Sequence, residues 1–334
     1  MNIRISVAMT TYNGQKYIID QLDSIRLQSM PVDEVIICDD LSTDNTVNLV
    51  VEYIEKHNLH SWKIIINEVR LGFCMNFWKS IDLCTGEIVF LSDQDDVWYS
   101  DKVLSMVSVM KKDTKINFVA SSYDICDDKG RKINIDIPYG RTVNNDELED
   151  IELDYLIGRS PIRGCSICFK KELINSSHYI ELKNGLAHDW LIACLATLNC
   201  RAVFYNKILF KYRVHDNNTS SPGNKFNIKG FKEKNIRRIE YLLEEENGLN
   251  VLLSNTLNNI TNNQIIKEQI IFNNLRIKLV EDSDIMSGLI LIKHLNAYSK
   301  IFSKGIFYGL RLYISDIAFA LAARLIRMRD KIYG

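Results

Sequence analysis

Residues 86–98 read GEIVFLSDQDDVW. Glu87–Ser92 has the length and apolarity of a buried strand, and it runs directly into Asp93, Asp95 and Asp96. The same succession recurs towards the N-terminus. Ile3–Met9 is followed by Thr10-Thr11-Tyr12-Asn13, Glu34–Cys38 by Asp39-Asp40, and Trp62–Ile66 reads as a third strand. Helical spacing fills the intervals: Ile18, Leu22 and Ile25; then Val47, Val50, Val51 and Ile54 behind the polar turn 42–45; then Cys74–Leu83. After the acidic stretch, Val103, Met106, Val107 and Met110 mark another helix. Strands alternating with helices predict βαβ units, hence an α/β fold whose mostly parallel sheet carries helices on both faces.

From about residue 116 the pattern loosens. Strands are expected at 117–121, 162–169, 202–205 and 208–214, with a buried helix over 189–198. The polar stretch 215–227, with Ser-Ser-Pro-Gly at 220–223, is the best boundary. It separates an expected domain 1–222 from a mostly helical region 223–334. At 334 residues, a prior of ~150 residues per domain agrees with two. A 46% hydrophobic and 25% charged composition with 4 Pro and 15 Gly excludes collagen-like and largely disordered chains. Against 42 acidic side chains, 41 basic ones leave a formal charge of −1, so no chain-wide field draws the protein to nucleic acid. The N-terminus lacks a signal-peptide apolar core, and a cytoplasmic location is expected. Eight scattered cysteines read as free buried thiols, the lone CxxC at Cys165–Cys168 included.

In an open parallel sheet, the loops at the carboxyl ends of the strands form the ligand crevice. Turn and cap chemistry accounts for Asn13-Gly14 and Asp44 but poorly for Asp39-Asp40, since adjacent carboxylates repel. Asp93 and Asp95, alternate residues leaving a strand, offer hard oxygen ligands that a divalent cation, Mg²⁺ or Mn²⁺, can share with a diphosphate. The stretch also matches the DxDx[TV] loop of haloacid-dehalogenase-type phosphatases, in which Asp93 would be phosphorylated. That loop belongs to a first strand, whereas this one follows the fourth. Asp189 sits at a helix N-terminus that favours the ionised carboxylate. Arg213 and His215 end a strand with a cation and an imidazole.

Seven segments, SVAMTTYNG, VIICDDLSTDNT, EVRLGFCMNF, GEIVFLSDQDDVW, RGCSICF, AHDWLIACLA and YRVHDNNT, span about residues 3–222. In that order they resemble the inverting nucleotide-sugar glycosyltransferases of family 2, with the GT-A fold. DQDDVW, HDW and YRxHxxN are most similar to the bacterial rhamnosyltransferase branch, which uses dTDP-L-rhamnose in surface polysaccharide synthesis. A UDP-hexose donor is the alternative, and a non-catalytic glycan-binding scaffold the rival class. The resemblance implies Thr10, Tyr12, Asn13, Asp39, Asp40, Asp93 and Arg213 around the nucleotide sugar. It implies Asp93, Asp95 and His215 at the metal, Asp189 as catalytic base, and Gly164, His188 and Trp190 on the side of the glycan or lipid-linked acceptor.

From Lys300 to Gly334 seven basic residues face two acidic ones within an otherwise apolar stretch. Charges at 311, 316 and 324 interrupt it too often for a spanning helix of ~18 apolar residues. Two readings stand. One is an amphipathic helix on the inner face of the cytoplasmic membrane; the other is a helix packed on its own domain or on a second copy in a homodimer.

Overall fold

The computed structural model describes residues 3–134, 141–157, 161–174, 187–215, 228–254 and 260–294, and most of 310–321. The chain folds as two compact units, Met1–Glu152 with Ser160–Ser221, and Leu153–Arg159 with Pro222–Gly334.

In the first unit, β1 (Ile5–Thr11), β2 (Glu34–Asp39), β3 (Trp62–Ile66) and β4 (Ile88–Ser92) alternate with α1 (Ile18–Arg26), α2 (Thr46–Lys56) and α3 (Gly72–Leu83). The short β5 (Val97–Trp98) leads into α4 (Lys102–Lys112). β6 (Ile116–Cys126), β7 (Leu148–Asp150), β8 (Ile167–Lys170) and β9 (Arg201–Arg213) complete a nine-stranded sheet of order β3-β2-β1-β4-β8-β6-β9-β5, with β7 also on β9. Pairings β1/β2, β1/β4, β2/β3 and β6/β9 are parallel, and β4/β8, β6/β8, β5/β9 and β7/β9 antiparallel. This mixed sheet interleaved with helices is the α/β architecture that the sequence predicts, and it fits the GT-A fold that the resemblance implies. Ile5, Val7 and Met9 join Ile18, Leu22 and Ile25 of α1 in one core cluster. The alternate residues Ser6 and Ala8 are equally buried, as the two-residue period of a doubly covered sheet requires.

Three expectations shift. On α2 the buried face is Thr46, Val50 and Tyr53, leaving Val51 exposed, because the Tyr53 ring packs inward while its hydroxyl donates to Asp23 Oδ1 at 2.7 Å. The expected strand over 162–169 opens instead as a 3₁₀ turn, Gly164–Ser166, before β8. The two strands expected at 202–205 and 208–214 are one strand, β9, whose register against β6 shifts at bulges.

α5 (Leu153–Leu156) groups with the second unit, and α6 (His188–Asn199) belongs to the first. α7 (Ile228–Ser254), α8 (Ile260–Glu281) and α9 (Ile285–Leu291) form the helical region. Phe272, Leu279, Leu291 and Ala320 make a small core there, and Arg276 Nε meets the buried Asp316 carboxylate at 2.9 Å. Much of the basic stretch from 300 lies outside the described residues. Among the described residues no helix is long and apolar enough to cross a membrane.

At the amino ends of β1, β2 and β4, buried Glu34 accepts hydrogen bonds from Ser6 Oγ at 2.5 Å, Thr85 Oγ1 at 2.9 Å and Gly86 N at 3.2 Å. A Cβ on Gly86 would lie 2.4 Å from Ser6 Oγ, 2.8 Å from Ser6 N and 2.9 Å from Arg4 O. Two of those atoms are backbone and cannot rotate away. Gly86→Ala is therefore expected to lower the unfolding free energy by about 2 kcal/mol, measured by urea denaturation.

Candidate active site

After β3 the chain returns past β1 to place β4 on its other side, so the crevice of the sheet falls at the carboxyl ends of β1 and β4. A cavity of about 1300 Å³ opens there.

The loop after β1 is fixed by its neighbours. Asn13 takes a left-handed φ of 50°, its Oδ1 accepting from Thr43 N at 2.7 Å and its own N donating to Ser42 Oγ at 2.8 Å. Tyr12 and Gln94 pair reciprocally: Tyr12 N donates to Gln94 Oε1 at 2.9 Å, and Gln94 Nε2 donates to Tyr12 O at 3.0 Å. This carries the acidic loop to the first loop as though the two were strands.

Asp39 and Asp40 turn apart. Asp39 is fully buried away from the cavity surface and accepts from Thr11 Oγ1 at 2.7 Å, Ser42 N at 2.8 Å and Ser42 Oγ at 2.6 Å. It holds the two loops together. Asp40 lines the cavity; its Oδ1 accepts from Leu71 N at 2.7 Å and Asn67 Nδ2 at 2.9 Å, and its Oδ2 from Gly72 N at 2.9 Å. The carboxylate thus sits at the amino end of α3, where the helix dipole favours it. The Arg70 guanidinium covers the Tyr12 ring at 3.8 Å.

The acidic loop comes next. Asp95 Oδ2 meets His215 Nε2 at 2.8 Å, and the His215 ring stacks on Tyr17 at 4.8 Å. Burial, then the charge of Asp95, pushes the Asp93 carboxyl up to about 7; the same two causes hold Asp96 well above the ordinary carboxylate range. Asp96 Oδ1 accepts from Arg213 N at 3.2 Å, while its buried Oδ2 has no hydrogen-bond partner. Oxygens of Asp93 and Asp96 lie within 4.8 Å of each other and of the Cys165 thiol. Asp95 and His215, expected at the metal, stand outside this trio, and Asp96 does not line the cavity; Asp93 and Asp95, which do, are the hard oxygens that suit a divalent cation there.

Asp189, in the first turn of α6, accepts from Trp190 N at 2.7 Å, and burial pushes its carboxyl up to about 6. That value leaves it ionised at neutral pH and still basic enough to take a proton. His188 stacks on Phe77 at 4.2 Å, and burial drives its imidazole down to about 3, so it is neutral.

Thr10, Tyr12, Asn13, Asp40, Asp93, Asp95, Gly164, His188, Asp189 and His215 all line the one cavity. Besides Asp39, two expected site residues do not. Trp190 is buried in the inward face of α6. Arg213 is buried away from the cavity surface: its Nε donates to Asp95 O at 2.8 Å, NH1 to Asp128 O at 2.9 Å and NH2 to Asp20 Oδ2 at 3.1 Å. It clamps the acidic loop from outside the cavity. Among the cations that line the cavity with Lys16 and Arg70 is Arg163, whose Nε and Nη1 donate to the hydroxyls of Tyr123 and Tyr212, both at 3.0 Å. Tyr17, Gln94 and Cys165 are further cavity-lining residues that sequence reasoning misses, although Gln94 lies inside DQDDVW and Cys165 inside RGCSICF.

A family model described as Glycosyl transferase family 2 matches residues 6–169. Among curated proteins, the dTDP-rhamnosyl transferase RfbG of Shigella flexneri is 30% identical over 275 residues, 78% of this chain and 88% of that one. The chain belongs to glycosyltransferase family 2. A second family relative, the Escherichia coli UDP-Glc:alpha-D-GlcNAc-diphosphoundecaprenol beta-1,3-glucosyltransferase WfgD, is 26% identical over 72% of this chain and 90% of its own length. The fold of this glycosyltransferase is shared with S. aureus TarS 1–349, at TM-score 0.60, 17% identity and coverage of 97% and 92%. Membership sets aside the phosphatase reading of Asp93.

A carboxyl held above its usual range binds more protons folded than unfolded, so its contribution to stability falls as the pH rises from about 4 towards its folded value. Asn at position 96 mimics the protonated state. Asp96→Asn is expected to gain stability over the parent between pH 5 and pH 8 in EDTA; parallel melting curves at the two pH values measure the gain.

Proposed function

We propose that this glycosyltransferase moves a sugar, with inversion, from a nucleotide diphosphate sugar to a glycan or lipid-linked acceptor in polysaccharide synthesis. L-rhamnose from dTDP-L-rhamnose is the leading donor; the 30% identity to RfbG over most of both chains favours it. A UDP-hexose is second, on the relation to WfgD. The observation that carries the reading is that Asp189, a carboxylate with a raised pKa at a helix N-terminus, shares one cavity with Asp93 and Asp95 and with Tyr12 and Asp40.

In this reading Tyr12 and Asp40 receive the base, and Asp39 keeps their loops in place. Asp93 and Asp95 would hold Mg²⁺ or Mn²⁺, with His215 beside Asp95. When bound, the ion supplies a Lewis acid against the leaving diphosphate. Asp189 takes the proton of the acceptor hydroxyl as its oxygen bonds to the anomeric carbon and the bond to the diphosphate oxygen breaks. Arg163, facing Asp93 and Asp189, favours the ionised form of both. Asp189→Asn is expected to keep donor binding by calorimetry while turnover falls by about 10²–10⁴. Turnover of the parent should decline below about pH 6 as Asp189 protonates. Released nucleotide from a panel of dTDP- and UDP-sugars is the readout, and absence of both binding and release with every donor would leave the scaffold reading.

The second unit supports a place at the inner membrane surface. Met286, Leu289, Ile290 and Ile292 stand exposed on α9 and the turn after it, as do Leu310, Ile314 and Leu321. α9 and the 313–321 segment are neighbours, since Tyr313 OH donates to Gly288 O at 3.0 Å. The basic excess of the chain from 300 complements an anionic surface. Truncation at 299 would strip Asp316 from buried Arg276, so point changes are the cleaner probe. Leu289→Glu with Ile314→Glu should move the protein from pellet to supernatant in sedimentation with phosphatidylglycerol vesicles. Equal recovery of parent and variant in the supernatant would assign the exposed face to packing or dimerisation.

A further inference from the structure

The cavity has two unlike halves. Asp95, Asp128 and Lys16 crowd one of them with charge, beside Asp93 and the His215 ring. The other is built from α3 and the start of α6 and carries Phe73, Phe77 and a neutral His188. His188 lies flat on Phe77 at 4.2 Å and meets Phe73 edge-on at 6.5 Å, so the three rings form one continuous wall. Phe73 is 53% exposed, unusual for a phenylalanine on a helix whose next turn is packed inward. Both nitrogens of His188 are buried without a hydrogen-bond partner. A Cβ on Gly164 would lie 3.0 Å from His188 Nε2 and 3.7 Å from Asp189 Oδ2, so the glycine lets the wall close up to the carboxylate.

We infer that Phe73, backed by the buried Phe77 and His188, is the platform on which the acceptor's pyranose ring rests, its C–H face against Phe73 and one hydroxyl turned to Asp189. The inference rests on the transfer reading, in which Asp189 is the base. Three physical points support it. Inversion by direct displacement brings the acceptor oxygen to the anomeric carbon opposite the leaving diphosphate, hence from the side away from the acidic half. An uncharged aromatic face suits the apolar side of a sugar and gives nothing to a diphosphate. A volume of about 1300 Å³ exceeds the ~300–1,000 Å³ usual for one small ligand and accommodates two substrates.

The test uses the full-length protein with Mn²⁺, the donor that it cleaves fastest, and octyl pyranosides of the gluco, galacto, N-acetylgluco and rhamno series as acceptors. Acceptor-stimulated release of nucleotide is followed, with donor Kd measured separately by calorimetry. Phe73→Ala is expected to raise the acceptor KM about tenfold while the donor Kd stays within twofold, and Phe73→Tyr, which keeps the ring, should restore the KM. An unchanged acceptor KM in Phe73→Ala overturns the platform, as does the absence of stimulation by every pyranoside in a parent that hydrolyses donor. A rise confined to the donor Kd would assign the wall to the donor sugar and equally overturn it. A parent that neither binds nor cleaves any nucleotide sugar would instead remove the transfer reading, and the platform with it.

Discussion

Three carboxylates leave β4 within four residues and enter a poorly hydrated space, and their repulsion is the constraint around which the first unit is arranged. Two like charges 4 Å apart at an effective dielectric of 20 repel by about 4 kcal/mol, comparable with the ~5–15 kcal/mol that holds a domain folded. The surrounding chain responds with cations. Lys102, fully buried between Trp98 and Phe210 at 4.1 and 4.3 Å, donates to Cys165 O at 2.7 Å and fixes the turn facing Asp96. Burial lowers its ammonium to about 8, so at neutral pH it is still charged. Arg213 holds the loop from outside the cavity and Arg163 lines the cavity itself. These groups leave Asp93 and Asp96 above the ordinary carboxylate range and Asp96 Oδ2 unpartnered, so the loop keeps an excess of acid that its own cations do not offset.

The crowded loop is tied down on both sides. Gln94, between two of the acids, is tied to the Tyr12 backbone by a two-way hydrogen-bonded pair, so the loop cannot relieve repulsion by swinging outward. His215 is held between Asp95 and the Tyr17 ring, and the Tyr17 hydroxyl donates to Asp128, whose other partner is Lys16. The acidic half is thus a chain of ion pairs and stacked rings running from the start of α1 to the end of β9.

The alternation of apolar runs with helical stripes makes β1 to β4 and α1 to α4 readable from sequence alone, because each element announces itself by local period. Asp189 is legible for the same reason: a carboxylate just inside a helix start has a local physical rationale. The two-residue β5 has no periodicity to detect; its pairing with β9 is set by Tyr99 N donating to Leu209 O at 2.9 Å, a tertiary fact. The exchange of roles between Arg213 and Arg163 is also tertiary. Each arginine sits beside a strand, and only the sheet order decides which guanidinium lines the cavity and which clamps from outside it. Phe73 and Phe77, four apart on a helix, carry the sequence signature of a core stripe. Burial of one and exposure of the other depends on where α6 packs.

Asp39 and Asp40 show how adjacent like charges become useful rather than merely tolerated. A strand sends successive side chains to opposite sides, and here Asp39 goes to Thr11 and Ser42 while Asp40 goes to Asn67, Leu71 and Gly72. The first choice joins the loops after β1 and β2. The second caps α3, the helix that carries Phe73, Asn76 and Phe77. Asn76 in turn accepts from Asn67 at 2.9 Å and donates to Cys38 O at 2.8 Å, which fixes the first turns of the helix to the end of β2. The carboxylate that lines the cavity beside Tyr12 is therefore the same group that sets the start of the aromatic wall. Movement of Asp40 cannot be confined to one half of the site, because the hydrogen bonds that hold its oxygens are the backbone of the helix that forms the other.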